Sequence, residues 1–167
     1  QWQHADYAAQ LRFKRQVLED CLRRIGGIER PPVEAVIGMA EPWGYRNQLR
    51  MRWTGGGAGL VALDGRSLVP VQSCPIAHPL VLELLEGLEL ELEPGTELSL
   101  RAGLATGDQM IVLHTSAAEL DSIDVERAVS VAVVDPETGA THAAAGRPFL
   151  VEQLGGHPFM VPASAFF

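Results

Sequence analysis

Three arginines, Arg46, Arg50 and Arg52, stand four and then two residues apart in the segment Tyr45 to Trp53, with Leu49, Met51 and Trp53 at the alternate positions. In an extended strand this alternation puts Arg46, Gln48, Arg50 and Arg52 on one face and the apolar residues on the other. Guanidiniums about 7 Å apart along a strand are not all neutralised by one local carboxylate, so the pattern points to an anion. Arginine binds phosphate through paired donors and also stacks on bases, which makes nucleic acid a natural class of partner. A solvated outer face of a sheet is the alternative reading of the same residues.

Other chemistry-bearing residues are sparse. Cys74 has only His78 near it in sequence, two potential ligands where a closed structural metal site takes four, so by itself it reads as a small buried hydrophobe. Cys21 falls on the apolar side of a helical segment and reads as a core residue. The five histidines, at 4, 78, 114, 142 and 157, follow no metal-protease or deaminase spacing. The run from Gly57 to Ala62 matches a dinucleotide fingerprint in form only. That fingerprint follows a parallel strand and opens a helix, whereas these glycines sit between β-type residues and suit a hairpin turn. With neither a serine elbow nor a phosphate-binding loop, catalysis by these 167 residues alone is not expected.

The elements that must position these side chains are legible in outline. Between Tyr7 and Ile25 apolar residues recur at three- and four-residue spacing, and Gly26-Gly27 supplies a left-handed cap, which predicts one long amphipathic helix. Pro31-Pro32 opens an extended connector. From Tyr45 the period is two, with Gly55 to Gly57 as a hairpin turn and return strands at Leu60–Leu63 and Ser67–Val71. A helix from about His78 to Gly87 follows, with the Leu/Glu run passing into a strand after Gly87. Further strands are predicted at Thr96–Ala105, Gln109–Thr115, Val129–Val134, Phe149–Leu154 and Phe159–Pro162, with a short helix or loop from Ala117 to Arg127. The expected class is α+β: a mainly antiparallel β-sheet, an N-terminal amphipathic helix and one or two further short helices. The expected organisation is a single domain, residues 1–30 forming the helical start and residues 31–167 the sheet with its inserted helix.

Charge distribution refines the choice of partner. The net charge of −8 argues against a polyanion, but residues 1–53 carry nine basic and six acidic side chains, while residues 54–167 carry four and 15. A local polyanion contact on an acidic body is compatible with that asymmetry. No apolar run reaches the roughly 20 residues needed to span a bilayer, so no membrane partner is expected. Two cysteines make no disulfide framework, as in cytoplasmic proteins with reduced thiols.

Several segments resemble one family, the S-adenosylmethionine-dependent RNA (uracil-5-)-methyltransferases of the ribosomal type. Gln1-Trp2-Gln3-His4 is similar to the family's Q-W-Q-H, which follows a cysteine cluster. Trp43 to Arg50 resembles W-x-Y-R-N/R-x-x-R, with Gln48 standing where Lys or Arg is common. Val71 to Ile76 resembles V-x-x-C-P-I/V, and the C-terminal segment resembles L-x-G-x-x-F-x-x-S-P-x-x-F-F-Q-V-N, with Pro162-Ala163-Ser164 in place of S-P-x.

The resemblance implies that the chain is the central domain of a larger enzyme acting on ribosomal RNA, the 23S species, and that both ends are cut from longer sequence. Arg50 would point into the cleft beside the target nucleotide, Arg46 and Arg52 would add RNA grip, and Phe166 would line the pocket near the target base. A core edge strand is the other reading of Phe166. Cys74 would be the remote ligand of a [4Fe–4S] cluster whose other three cysteines precede Gln1. S-adenosylmethionine would bind beyond Phe167, where a cysteine thiolate adds to C6 of uracil and makes C5 nucleophilic. Neither cofactor is expected bound to these residues alone, and no protein partner is implied. The rival readings are a non-enzymatic RNA-binding or scaffold module that lacks the methyl-transfer domain, and a plain interaction domain working through its acidic surface.

Overall fold

The computed structural model describes residues 2–116 and 128–165. The chain divides into two compact units, Gln1–Pro42 and Trp43–Phe167. In the first, helix α1 (Tyr7–Arg24) begins where the Asp6 carboxylate accepts the Ala9 amide at 2.9 Å, which satisfies one of the open donors of the first turn. It ends with Arg23 and Arg24 in its last turn, favourably placed against the helix dipole. Gly27 at φ +67° then lets the Ile28 amide return to the Leu22 carbonyl. The connector is tied back by the Met39 amide, which donates to the Tyr7 hydroxyl at 2.8 Å.

Cys21 is exposed, contrary to its expected place in a core. Helical spacing identifies an apolar stripe but does not supply something to cover it. Within this unit the connector meets the helix near Tyr7 and Leu11, where Gly38 lies against both, and Ala9 is the buried residue of α1.

The second unit is built on a seven-stranded sheet. Its strands are β1 (Gln48–Trp53), β2 (Ala58–Val61), β3 (Leu68–Pro70), β4 (Glu97–Ala102), β5 (Gln109–His114), β6 (Ser130–Val134) and β7 (Thr141–Ala145), in the order β3-β2-β1-β4-β5-β6-β7. All neighbouring pairs are antiparallel except β5 and β6. A separate hairpin pairs β8 (Phe149–Leu154) with β9 (His157–Pro162). The expected α+β class with a mainly antiparallel sheet and an N-terminal helix is what the chain adopts.

Period-two alternation decides what each face of the sheet carries. Leu49, Met51 and Trp53 of β1, Leu98 and Leu100 of β4, and Ile111 and Leu113 of β5 form one buried layer. Helix α2 (Pro79–Glu86) closes it with Val81, Leu84 and Leu85. This helix starts cleanly because His78 caps it and Pro79 occupies the first turn, where a missing amide costs nothing. On the opposite face Met110, Val112, Ala132 and Val134 pack with Leu150 and Ala163, so the β8–β9 hairpin covers β5 and β6 there.

Three expectations require correction. The regular strand starts at Gln48 rather than Tyr45, leaving Arg46 in an isolated bridge to Ala77. Leu88 to Leu92 forms no strand; its leucines pack on the core as irregular chain, which leaves the intervening glutamates in solvent. Strand β7 carries no signal in the sequence, because its Ala-rich stretch has little β preference. The helix or loop expected at Ala117 to Arg127 lies outside the described residues, as does Phe166.

Candidate nucleic-acid interface

The α2-remote face of the sheet is covered by the hairpin over β5 and β6 but left open over β1 and β4. A pocket of about 540 Å³ occupies that opening. Its floor comes from Ser99 and Arg101 of β4, one side from Gln48 and Arg50 of β1, another from His114 of β5 and Val134 of β6. Ala163, Ser164 and Ala165, which follow β9, form the remaining wall. The register explains the grouping: Arg50 stands opposite Ser99, Gln48 opposite Arg101, and Glu97 opposite His114.

Arg46 reaches the pocket although it precedes β1. Its amide donates to the Ile76 carbonyl at 2.8 Å and its carbonyl accepts the His78 amide at 2.8 Å, while Gly44 donates to Pro75. Gly44 itself adopts φ +59°, a conformation that favours glycine, so the turn before Arg46 is specified locally. Arg50 is exposed and makes an ion pair with Glu97, both Nε and Nη2 meeting one carboxylate oxygen. Arg52 projects from the same face one step further on, exposed, and lies outside the pocket lining. The structure therefore brings Arg46 and Arg50 together and leaves Arg52 as a flanking charge.

Two arginine neighbours missed by sequence reasoning make the site unusual. Arg101 is 5% exposed and Ser99 is 1% exposed, yet the Arg101 Nε and the Ser99 Oγ have no hydrogen-bond partner. The only hydrogen bond of the Arg101 guanidinium among the described residues is a long one, from Nη1 to the Pro162 carbonyl at 3.5 Å. Burial pushes the Arg101 pKa down, and repulsion from Arg50 pushes it the same way. The His114 Nε2 is also buried without a hydrogen bond, 3.9 Å from the Glu97 carboxylate. Burial lowers its pKa, Glu97 opposes that shift, and Arg50 and Arg101 reinforce it, so the imidazole is neutral near pH 7.

The described lining contains three arginines and no carboxylate, within a chain whose net charge is −8. A buried unpaired guanidinium beside buried unpartnered donors is costly unless something polar and negative binds there. The arrangement can hold an anion and present apolar wall to what the anion carries. It offers no nucleophile paired with a base among its described residues. One signal could have found Arg101: it is one of four basic residues after Trp53, and Glu97, Ser99 and Arg101 alternate with Leu98, Leu100 and Ala102.

Cys74 lies elsewhere, half-buried and packed against the α2 side of the core. His78 is engaged as the α2 cap, its Nδ1 accepting the Leu80 amide at 3.3 Å. No group of three or more potential metal ligands exists among the described residues, so one thiolate here does not fit a four-iron cluster by itself. The Gly57 to Ala62 run is the β1–β2 turn and strand β2, where Thr54 closes the turn by donating to the Gly57 carbonyl, and it makes no dinucleotide cradle. No described helix is long and apolar enough to cross a membrane.

No protein-family model matches the chain. Its homologues among curated proteins are RNA methyltransferases. An uncharacterized RNA methyltransferase of Streptomyces avermitilis is 32% identical over 183 residues, covering 99% of this chain and 41% of that protein. Another, of Thermosynechococcus vestitus, is 29% identical over 202 residues, covering 100% of this chain and 44% of the relative. A third, of Halalkalibacterium halodurans, is 36% identical over 138 residues, 72% of this chain and 30% of the relative. The chain thus spans less than half the length of these curated relatives. Among solved structures, the fold matches part of the Pyrococcus abyssi tRNA (uracil-54, C5)-methyltransferase in complex with S-adenosyl-L-homocysteine. The TM-score is 0.66 at 22% identity, over 99% of this chain and 45% of that one.

Proposed function

We propose that this chain is the central domain of a longer cytoplasmic RNA methyltransferase, in which it grips RNA through Arg46, Arg50 and Arg52 and walls the pocket that receives an unstacked uridine. The observation that carries this reading is the arginine-lined pocket with its buried, unpartnered polar atoms. The RNA methyltransferase homologues support the class of substrate, and the shared fold with a uracil-C5 enzyme supports uridine as the nucleotide. The reaction proposed for the longer protein is transfer of a methyl group from S-adenosylmethionine to C5 of a uridine, with 23S ribosomal RNA as the substrate. Phe166 is proposed to line the pocket near the target base, the role that the resemblance of the C-terminal segment implies.

Cys74 is proposed as a cluster ligand only together with three thiolates from outside this chain. Replacing it in the longer protein should then remove the iron–sulfur absorbance, and stoichiometric iron in Cys74→Ser would refute the assignment. The activity itself is tested by tritium release from 5-tritiated uridine in ribosomal RNA, using the longer protein with S-adenosylmethionine. Release that depends on the cofactor supports methyl transfer at C5. RNA binding without release would favour a non-enzymatic RNA-binding module.

A further inference from the structure

We propose that Arg101 and Ser99 form the seat for one phosphodiester of a bound RNA strand, with Arg50 completing it from the pocket mouth. This rests on the RNA-gripping role given above and assigns the ligand group and two residues that the β1 arginines do not specify.

Arg101 is the strongest indication. It is nine-tenths buried and forms no ion pair among the described residues, while Glu97 of the same strand is already taken by Arg50. A guanidinium in that state leaves its charge uncompensated, which is destabilising unless a ligand supplies the counter-charge. Ser99 stands two residues earlier on the same strand face, about 7 Å away along the backbone, and its buried hydroxyl is likewise unpartnered. Arg50 faces Ser99 across the β1–β4 ladder and repels Arg101, so the three side chains share one field that an anion between them would relieve.

The geometry favours a phosphodiester over a base edge. A base is neutral and would leave the buried charge uncompensated. A phosphodiester carries one negative charge on two unesterified oxygens, one able to accept from Arg101 Nε and the other from the Ser99 hydroxyl. Its two ester arms would leave through the open side, toward Arg46 at one end and Arg52 at the other. The pocket of about 540 Å³ has room for the sugar and base attached to it.

The test is fluorescence anisotropy of the 167-residue chain with a labelled single-stranded oligouridine, across 50 to about 200 mM salt. Arg101→Met keeps the volume and removes the charge. It should weaken binding about tenfold or more and reduce the slope of log K against log salt by about 0.7, the signature of one lost phosphate contact. Ser99→Ala, a smaller change, should weaken binding about threefold to tenfold with the slope intact, and carries the test if Arg101→Met does not fold. Wild-type affinity and slope in both variants would overturn the phosphate seat while leaving the RNA-binding role standing. A wild-type chain that ignores oligouridine, yet is raised in melting temperature by inorganic phosphate in an Arg101-dependent manner, would overturn both and assign the pocket to a free anion.

Discussion

The two faces of the seven-stranded sheet are built from the same strands and meet opposite demands. On the α2 side every inward position of β1, β4 and β5 is apolar, and helix α2 covers this layer together with Cys74 and the leucines of Leu88 to Leu92. On the other side β5 and β6 present Met110, Val112, Ala132 and Val134 to the β8–β9 hairpin, but β4 presents Glu97, Ser99 and Arg101 and β1 presents Arg50 and Arg52. Apolar burial on the first face is a sufficient reason for its residues. On the second face the same degree of burial is applied to the Ser99 hydroxyl and the Arg101 Nε, which have no hydrogen-bond partner among the described residues. The lesson is that burial marks the core on one side and a binding site on the other, and hydrogen-bond satisfaction distinguishes them.

Substitutions should separate the faces. The largest expected effect is on the α2 side, where Leu100→Ala removes a fully buried side chain and should cost about 2 to 5 kcal/mol in denaturant unfolding, with no specific effect on RNA affinity beyond that loss of folded protein. Gly103→Ala should come next, because a Cβ there runs into the Val151 carbonyl at the seam where the hairpin docks; a loss of about 1 to 3 kcal/mol is expected, and a neutral result would mean the hairpin moves away at little cost. Arg101→Met should behave in the opposite sense on the open face: melting at or above the wild-type temperature while RNA binding falls, because an unpaired buried charge is replaced by an apolar side chain of similar size. Arg50→Ala should change stability by less than about 1 kcal/mol, since the Arg50 side chain is itself largely solvent-exposed, yet should weaken RNA binding.

The smallest effect is a pH dependence. His114 has its folded-state pKa held below the ordinary 6.5, chiefly by burial, so on acidification the unfolded chain takes up the proton first. Its contribution to stability is therefore complete above pH 6.5 and declines as the pH falls through 6.5 toward the lower folded value. His114→Gln should flatten that part of the stability profile. A bound phosphate should raise the His114 pKa, and an upward shift in its imidazole titration on addition of RNA would show that the histidine and the anion share the pocket.

Much of this architecture is legible in local sequence. The alternation of Leu49, Met51 and Trp53 with arginines, the glycine turn after Thr54, and the His78-Pro79 start of α2 each carry their own signal within a few residues. What is not legible is non-local. Arg101 lies in a Leu-x-Leu-x-Ala strand, and its burial is imposed by Pro162 and Ala163, some 60 residues later, through a hairpin whose docking no spacing announces. The parallel pairing of β5 with β6 and the Ala-rich β7 are likewise decided by tertiary packing rather than by propensity. Cys21 shows the converse: good helical periodicity, and no partner within its unit to bury it.

The central claim, that the open face over β1 and β4 is where this chain meets RNA, has a direct test in the arginine side-chain NMR signals of the 167-residue protein. On titration with single-stranded oligouridine, the Nε–H resonances of Arg46, Arg50 and Arg101 should shift together and saturate at one stoichiometry, with those of Arg12, Arg15, Arg23 and Arg24 on α1 nearly unmoved. Shifts concentrated on the α1 arginines, with Arg50 and Arg101 unchanged, would contradict the account and move the RNA contact to the first unit.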